Sequence, residues 1–322
     1  MEERELGRTG FTITSVGLGT WAIGGGGWEF GWGPQDDERS VQAIRRAHEK
    51  GITWIDTAPA YGTGHAEEVV RTAISGLDPR PRIFTKVSLR WTPDRTITHS
   101  LKAGSIREEV EASRRRLGVD TIDLVQVHWP DPEDDIEEGW RTLADLKDRG
   151  VVRHIGVSNF DVAQMERVGR IAPVETLQPP YSLVHPEVEE EILPYARTHG
   201  IGVIAYSPMA CGLLSGTMTA ERVARFAPDD WRRRSSDFRE PHLSRNLALA
   251  RLLAEIGRRH RGRSAGEVAI AWTLANPAVT GAIVGARSAE QVDGFVGAMS
   301  LRLTPEDLEE IRAFRAENPP PA

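Results

Sequence analysis

The chain has 322 residues, 27% charged and 39% hydrophobic, with a formal net charge of -7, the values of a soluble globular protein. A mild negative charge spread along the chain excludes the concentrated basic footprint of a nucleic-acid binder, and the single cysteine, Cys211, excludes an internal disulfide or a thiolate-rich metal site. No apolar run approaches the ~20 residues that span a bilayer, and the acidic start Met1-Glu2-Glu3-Arg4-Glu5 is no signal peptide, so the expected location is cytoplasmic.

An opening hairpin is predicted from Arg4-Glu5-Leu6 and Thr12-Ile13 about a turn at Gly7 to Gly10. A strand over 15–19 and a helix over 37–50, stopped by Gly51, come next. The alternation continues with a strand over 53–55, a helix from 66, a strand over 82–87 and a helix over 105–117. Strands over 122–127, 152–157, 174–177 and 202–205 are separated by helices over 136–149, 162–170 and 188–198. After an irregular stretch come helices over 243–259 and 265–276, a strand over 281–284, and helices over 289–299 and from 305 to the end. Short β-branched runs and glycine stops after helices are the punctuation that supports these bounds. Roughly eight strand–helix repeats without a polar linker predict a parallel sheet. The expected architecture is one α/β domain over 1–322, a (β/α)8 TIM barrel with an N-terminal β-hairpin and extra C-terminal helices.

In such a barrel, chemistry sits at the carboxyl ends of the strands. Those ends carry Asp56 and then Tyr61, Lys86, His128 with Trp129, Ser158-Asn159, Gln178, Tyr206-Ser207 and Gly285. Each alone has a plain explanation as a cap, a loop residue or a packed side chain; their shared face is what makes them a site. Only four of the forty basic residues are lysine, so Lys86 is more informative than an average surface cation. Tyrosine titrates near 10, and a neighbouring ammonium is expected to lower that value. Asp56 is the natural partner to keep a buried Lys86 charged, and His128 can orient a carbonyl or relay a proton. The group reads as a proton-donating electrophilic site.

The motifs Gly17-Leu18-Gly19-Thr20-Trp21 and Trp54-Ile55-Asp56-Thr57-Ala58-Pro59-Ala60-Tyr61-Gly62 extend this picture. So do Thr85-Lys86, Asp123-Leu124-Val125-Gln126-Val127-His128-Trp129-Pro130 and Ile155-Gly156-Val157-Ser158-Asn159-Phe160. Gln178, Ala205-Tyr206-Ser207-Pro208, Gly212-Leu213-Leu214-Ser215-Gly216 and Ile283-Val284-Gly285-Ala286-Arg287-Ser288 complete the set. Together, in this order, they resemble the aldo-keto reductases over nearly the whole chain. The resemblance implies a catalytic tetrad of Asp56, Tyr61, Lys86 and His128, with hydride passing from NADPH to an aldehyde or ketone and Tyr61 protonating the oxygen. It implies that Ser158, Asn159 and Gln178 bond the nicotinamide carboxamide and that Tyr206 stacks on the ring. By the same resemblance Gly19, Thr20 and Trp21 border the cofactor. The stretch Ser207, Pro208, Met209, Gly212, Leu213 and Gly216 closes over the pyrophosphate, and Gly285, Arg287 and Gln291 hold the adenosine end. Arg287 favours NADPH through the ribose 2′-phosphate, with NADH as the alternative. Many relatives have Glu-Asn three and four residues beyond Gln291; Gly294 and Phe295 stand here and alter the adenine contacts.

Gly17-x-Gly19-x-x-Ala22 matches a loosened dinucleotide fingerprint, but the glycine run Gly24 to Gly27 cannot open the required helix. Those glycines are expected to let loop backbone approach cofactor or substrate. Of nine tryptophans, Trp21, Trp28, Trp32, Trp91 and Trp129 fall in predicted loops on the active face, an aromatic wall suited to a small carbonyl compound with an apolar body. Arg90 is expected to be a solvated loop charge. Two other readings stay open. A slow-turnover nicotinamide-binding regulatory subunit of the same fold would bind NADPH tightly yet reduce generic aldehydes poorly, and a metal-dependent barrel hydrolase would need close histidines. The chain has no His-x-His pair, so no metal is expected.

Overall fold

The computed structural model describes residues 3–320. Met1, Glu2 and the last two positions of the predicted C-terminal helix lie outside them. Eight parallel strands close a barrel in sequential order: β1 (Val16–Gly19), β2 (Trp54–Asp56), β3 (Arg82–Val87), β4 (Ile122–Val127), β5 (Val152–Ser158), β6 (Thr176–Gln178), β7 (Gly202–Tyr206) and β8 (Val279–Gly285). The helices that follow the first six strands are α1 (Asp37–Glu49), α2 (His65–Ile74), α3 (Ala103–Leu117), α4 (Ile136–Asp148), α5 (Val162–Gly169) and α6 (Ile192–His199). Asp36 caps α1 through the Arg39 N–H, and a reciprocal capping box of Asp161 and Gln164 opens α5. Gly118 and Gly200, both left-handed, end α3 and α6. No described helix is long and apolar enough to cross a membrane.

The predicted hairpin is present, Glu3–Glu5 pairing antiparallel with Thr12–Thr14, and it stoppers the bottom of the barrel. Its Leu6 and Ile13 pack with Trp54, Phe84, Leu124, Ile204 and Ile283, which point inward from five strands. Side chains two residues apart share one face of a strand. The next inward layer toward the carboxyl end therefore holds Asp56, Lys86, Gln126, Tyr206 and Gly285. An apolar plug below and a polar layer above follow from one period-two pattern. Outside the strands, a continuous apolar shell with Ile44, Val70, Ile106, Trp140 and Leu193 joins sheet to helices.

Three local differences from the sequence expectation have clear causes. The predicted helix over 188–198 is a 3-10 turn, Glu187–Glu189, followed by α6; Pro194 is tolerated only in a first turn, so the helix has to start just before it. The predicted helix over 289–299 stops at Asp293, caps on Gly294 and resumes as a 3-10 segment, Val296–Ser300, with Phe295 buried in the core. The segment after β3, expected as loop, is an antiparallel hairpin of Leu89–Trp91 with Ile97–His99.

Candidate active site

Neighbouring strands deliver the polar layer in register: Asp56 lies beside Gly19, Lys86 beside Gln126, and Gln178 beside Ser158. Lys86 is fully buried, and its Nζ donates to Asp56 Oδ1 at 2.7 Å, to Thr57 O at 3.0 Å and to Tyr61 Oη at 3.4 Å. Burial pushes Asp56 up and Lys86 down, each toward its neutral form, and their mutual attraction opposes both shifts. His128 meets the Tyr61 ring edge-on at 5.8 Å. Its burial, with Lys86 and His99 nearby, holds the imidazole well below its usual range, so it is neutral near pH 7. Lys86 thus reaches the Tyr61 hydroxyl, with Asp56 behind it and His128 against the Tyr61 ring.

One expectation is corrected. Tyr61 does not titrate below 10: burial, reinforced by the Asp56 charge, pushes the phenol well above that value. Lys86 is committed to Asp56 at the shorter distance, so its ammonium does not dominate the resting phenol.

The residues assigned to the nicotinamide join the same network. Tyr206 Oη donates to Asn159 Oδ1 at 2.8 Å, and Asn159 Nδ2 donates to His128 O at 2.9 Å. Ser158 Oγ donates to Gln178 O at 2.8 Å, while Gln178 Nε2 donates to Asp56 Oδ2 at 2.9 Å and to Gln126 Oε1 at 2.8 Å. Asn159 and Ser207 hold left-handed φ of 63° and 56°, a strain that clusters at functional sites. Gln126, to which the sequence reading gave no role, carries this chain of bonds on to Thr176 Oγ1 at 3.0 Å. Its position two residues before His128 was the available signal.

Thr20 follows Gly19 at the end of β1, its N–H bonded to Asp56 O. The Thr20, Thr57 and His128 side chains each keep a buried polar atom without a hydrogen-bond partner among the described residues. The turn after β7 is left-handed at Ala210, Cys211, Gly212 and Gly216, and within it Leu213 is buried and Met209 packs on the core. A Cβ on Gly285 would meet only Gly19 O, at 3.8 Å, so the backbone at that strand end borders open space. Gln291 Oε1 accepts from the Arg287 N–H at 2.7 Å. The Arg287 guanidinium donates to Gln35 Oε1 at 2.6 Å and to the Trp32 and Pro34 carbonyls.

Trp21 stacks over Tyr61 at 6.4 Å and on Trp231 at 5.1 Å, and it meets Trp32 edge-on at 5.2 Å. Trp28 also faces Tyr61, at 6.4 Å. Gly24, which opens the glycine run, is close-packed: a Cβ on it would fall 2.6 Å from Gly62 N and 2.8 Å from Tyr61 C. Gly24 lets the loop after β1 lie against the Tyr61 turn. Trp129 is 42% exposed at the mouth. Trp91 shows no ring contact with these indoles among the described residues; its hairpin places it under the Arg116 guanidinium, at 5.9 Å. Trp231 was missed because it sits in an arginine-rich polar loop, though an isolated tryptophan there is itself a signal.

Behind Lys86, Ser88 takes a left-handed φ of 92° and its N–H donates to Glu109 Oε2 at 3.0 Å. Burial outweighs that bond, the one from Ser105 and the charges of Arg90 and Arg116, and raises Glu109 to about 7. The unfolded value is about 4.3, so between the two the folded state binds more protons, and stability falls as pH rises through that window. At about 1.4 kcal/mol per pH unit this amounts to about 4 kcal/mol. Glu109→Gln should remove that slope from denaturant unfolding measured on either side of the window; an unchanged slope would show that Glu109 titrates normally.

No three His, Cys, Asp or Glu side chains are grouped as metal ligands among the described residues. What the polar layer can do is donate a proton to an oxygen seated between Tyr61 and His128, beneath an aromatic wall. The Aldo/keto reductase family matches residues 15–316. The chain is 40% identical over 316 residues to "Aldo-keto reductase YhdN" of Bacillus subtilis (strain 168), covering 98% of this chain and 93% of that one. It is 33% identical to "NADH-specific methylglyoxal reductase" of Escherichia coli (strain K12), covering 97% and 98%. The solved glycerol dehydrogenase AKR11B4 from Gluconobacter oxydans superposes with a TM-score of 0.89 at 37% identity, over 99% of this chain and 97% of that one. With the closed barrel and its strand-end residues, these matches make the chain an oxidoreductase that belongs to the aldo/keto reductase family.

Proposed function

We propose that the protein reduces an aldehyde or ketone to an alcohol, with NADPH as hydride donor and Tyr61 as the acid. The observation that carries this reading is the Tyr61 hydroxyl itself, 3.4 Å from Lys86 Nζ and borne on a ring that neutral His128 meets edge-on. Bound NADPH supplies the hydride. The unpartnered atoms of Thr20 and Thr57, the open backbone at Gly285 and the left-handed turn after β7 fit a dinucleotide laid across the mouth. Ser158, Asn159 and Gln178 hold the nicotinamide end, Tyr206 backs its ring, and Arg287 with Gln291 holds the adenosine end.

The substrate oxygen sits against Tyr61 Oη, oriented by His128. Because burial keeps the phenol protonated, transfer occurs as negative charge builds on that oxygen, an alkoxide being a far stronger base than phenolate. Lys86 stabilises the phenolate left behind, and Asp56 keeps Lys86 charged and placed. Trp21 and Trp28 flank the substrate and exclude water. The Escherichia coli relative is named NADH-specific, so cofactor choice has to be measured.

The test follows loss of reduced-nicotinamide absorbance with NADPH and with NADH over a panel of aldehydes, ketones and quinones. Carbonyl-dependent oxidation, faster with NADPH, is the expected result. Tight cofactor binding with no turnover on any carbonyl would overturn the reading in favour of a regulatory subunit.

A further inference from the structure

We propose that Ser88 is a positioning residue, whose hydroxyl clamps the loop after β4 to the end of β3 and so sets where the His128 imidazole meets the carbonyl oxygen. This rests on the reduction reading above and adds a residue to it. β3 delivers Lys86 to the mouth and ends at Val87; the chain then turns out of the barrel into the hairpin of Leu89–Trp91 with Ile97–His99. That bend is made by Ser88, at a left-handed φ of 92°. Glycine adopts such a backbone without steric penalty, whereas a serine held there is strained and persists only because its contacts over-determine it. The bend by itself requires no more than glycine. The hydroxyl is what serine adds.

Ser88 is fully buried, and each of its polar atoms is committed. Its N–H donates to Glu109 Oε2 at 3.0 Å, and Glu109 Oε1 accepts from Ser105 Oγ at 2.8 Å. Its carbonyl accepts from the Ser100 N–H at 3.0 Å, which closes the base of the hairpin. Its hydroxyl crosses to the neighbouring loop: Oγ accepts from the Trp129 N–H and donates to the Trp129 carbonyl, both at 3.2 Å. Further out, His99 Nδ1 and Asp131 Oδ2, 2.9 Å apart, tie the hairpin to the same loop.

His128 stands directly before the clamped residue. Its N–H donates to Val87 O at 2.9 Å, and its carbonyl accepts from Asn159 Nδ2 at 2.9 Å. The ring has no comparable tie. Its buried Nδ1 is without a hydrogen-bond partner among the described residues, so the nitrogen that ordinarily fixes tautomer and tilt does not do so here. The imidazole is aimed by the backbone that bears it and by its edge-on contact with Tyr61. Loss of the Ser88 hydroxyl frees that backbone on its far side, together with Trp129, whose indole is exposed at the mouth. A displacement of about 1 Å in a group that orients the reacting atom is enough to lower the rate about a hundredfold.

The experiment compares the wild type with Ser88→Gly and Ser88→Ala, which lose the same hydroxyl and differ in backbone strain. Thermal melting should separate them, with Ser88→Gly the more stable of the two. Turnover should not: kcat/KM for an aldehyde that the wild type reduces should fall about 10- to 100-fold in both. The NADPH dissociation constant, from tryptophan-fluorescence quenching, should stay within about twofold. The His128 ring-proton NMR signals, assigned by their absence in His128→Gln, should shift or broaden in both variants. Activity that follows stability, with Ser88→Gly at wild-type kcat/KM, would make Ser88 a structural bend and overturn the proposal. Unchanged His128 signals, or a loss confined to NADPH affinity, would overturn it as well. A wild type that binds NADPH and turns over no carbonyl overturns the reduction reading instead, before any variant is compared, and this proposal with it.

Discussion

Tyr61→Phe should lower kcat/KM for carbonyl reduction by about 10²- to 10⁴-fold, the usual contribution of a positioned general acid, and leave cofactor affinity unchanged. The substitution removes one oxygen and keeps the ring that stacks under Trp21 and faces His128. The lost hydroxyl has Lys86 as its single hydrogen-bond partner among the described residues, at a long 3.4 Å, so the change in folding stability should be under about 1 kcal/mol. Activity loss with intact binding and stability isolates the proton. The pH profile carries a second signature. Reduction needs the phenol protonated, and its value is well above 10, so wild-type turnover should show no tyrosine limb across the neutral range. A variant with wild-type turnover would remove Tyr61 from the chemistry, and a limb near neutrality would show that Lys86 controls the resting phenol after all.

Most of this fold was legible because its strands are short, apolar and separated by glycine stops. β3 and β4 match their predicted bounds residue for residue, each a run rich in β-branched residues with its polar residue at the mouth, Lys86 one position before the end of β3 and His128 directly after β4. Asp56 and Lys86 were legible for the same reason, since a period-two pattern fixes which residue follows the apolar plug on the inward face, whereas Tyr61 and His128 lie beyond the strand ends and were reached through the motifs. What escaped has a common cause in contacts distant along the chain. Trp231 joins the aromatic wall only because the loops after β1 and β7 meet over the mouth. Glu109 titrates near neutrality only because α3 buries it behind β3. The direction of the Tyr61 shift was misread because the sequence lists the neighbouring charges without showing how deeply the phenol is buried or that Lys86 is paired with Asp56. Lys86 is 2.7 Å from Asp56 and 3.4 Å from Tyr61, and that difference decides where its charge acts.

Lys86→Met tests that assignment from the other side, with an effect on turnover at least as large as Tyr61→Phe and an added effect on stability. Removing the ammonium leaves Asp56 buried, with Gln178 Nε2 at 2.9 Å as its remaining side-chain donor. Breaking one half of a buried ion pair costs about 3–5 kcal/mol. Part of that is recovered when Asp56 takes up a proton, since burial already raises its value. The sign follows: with the folded value above the unfolded one, the variant should lose stability as pH rises through the window between them. Asp56→Asn/Lys86→Met removes the orphaned charge, so it should regain most of the stability and the cofactor binding. It should not regain turnover, because no cation remains to stabilise the phenolate as the proton leaves. Recovery of turnover in the double variant would show that Lys86 serves only to neutralise Asp56, and a single variant with wild-type kcat would separate the buried ion pair from the reaction altogether.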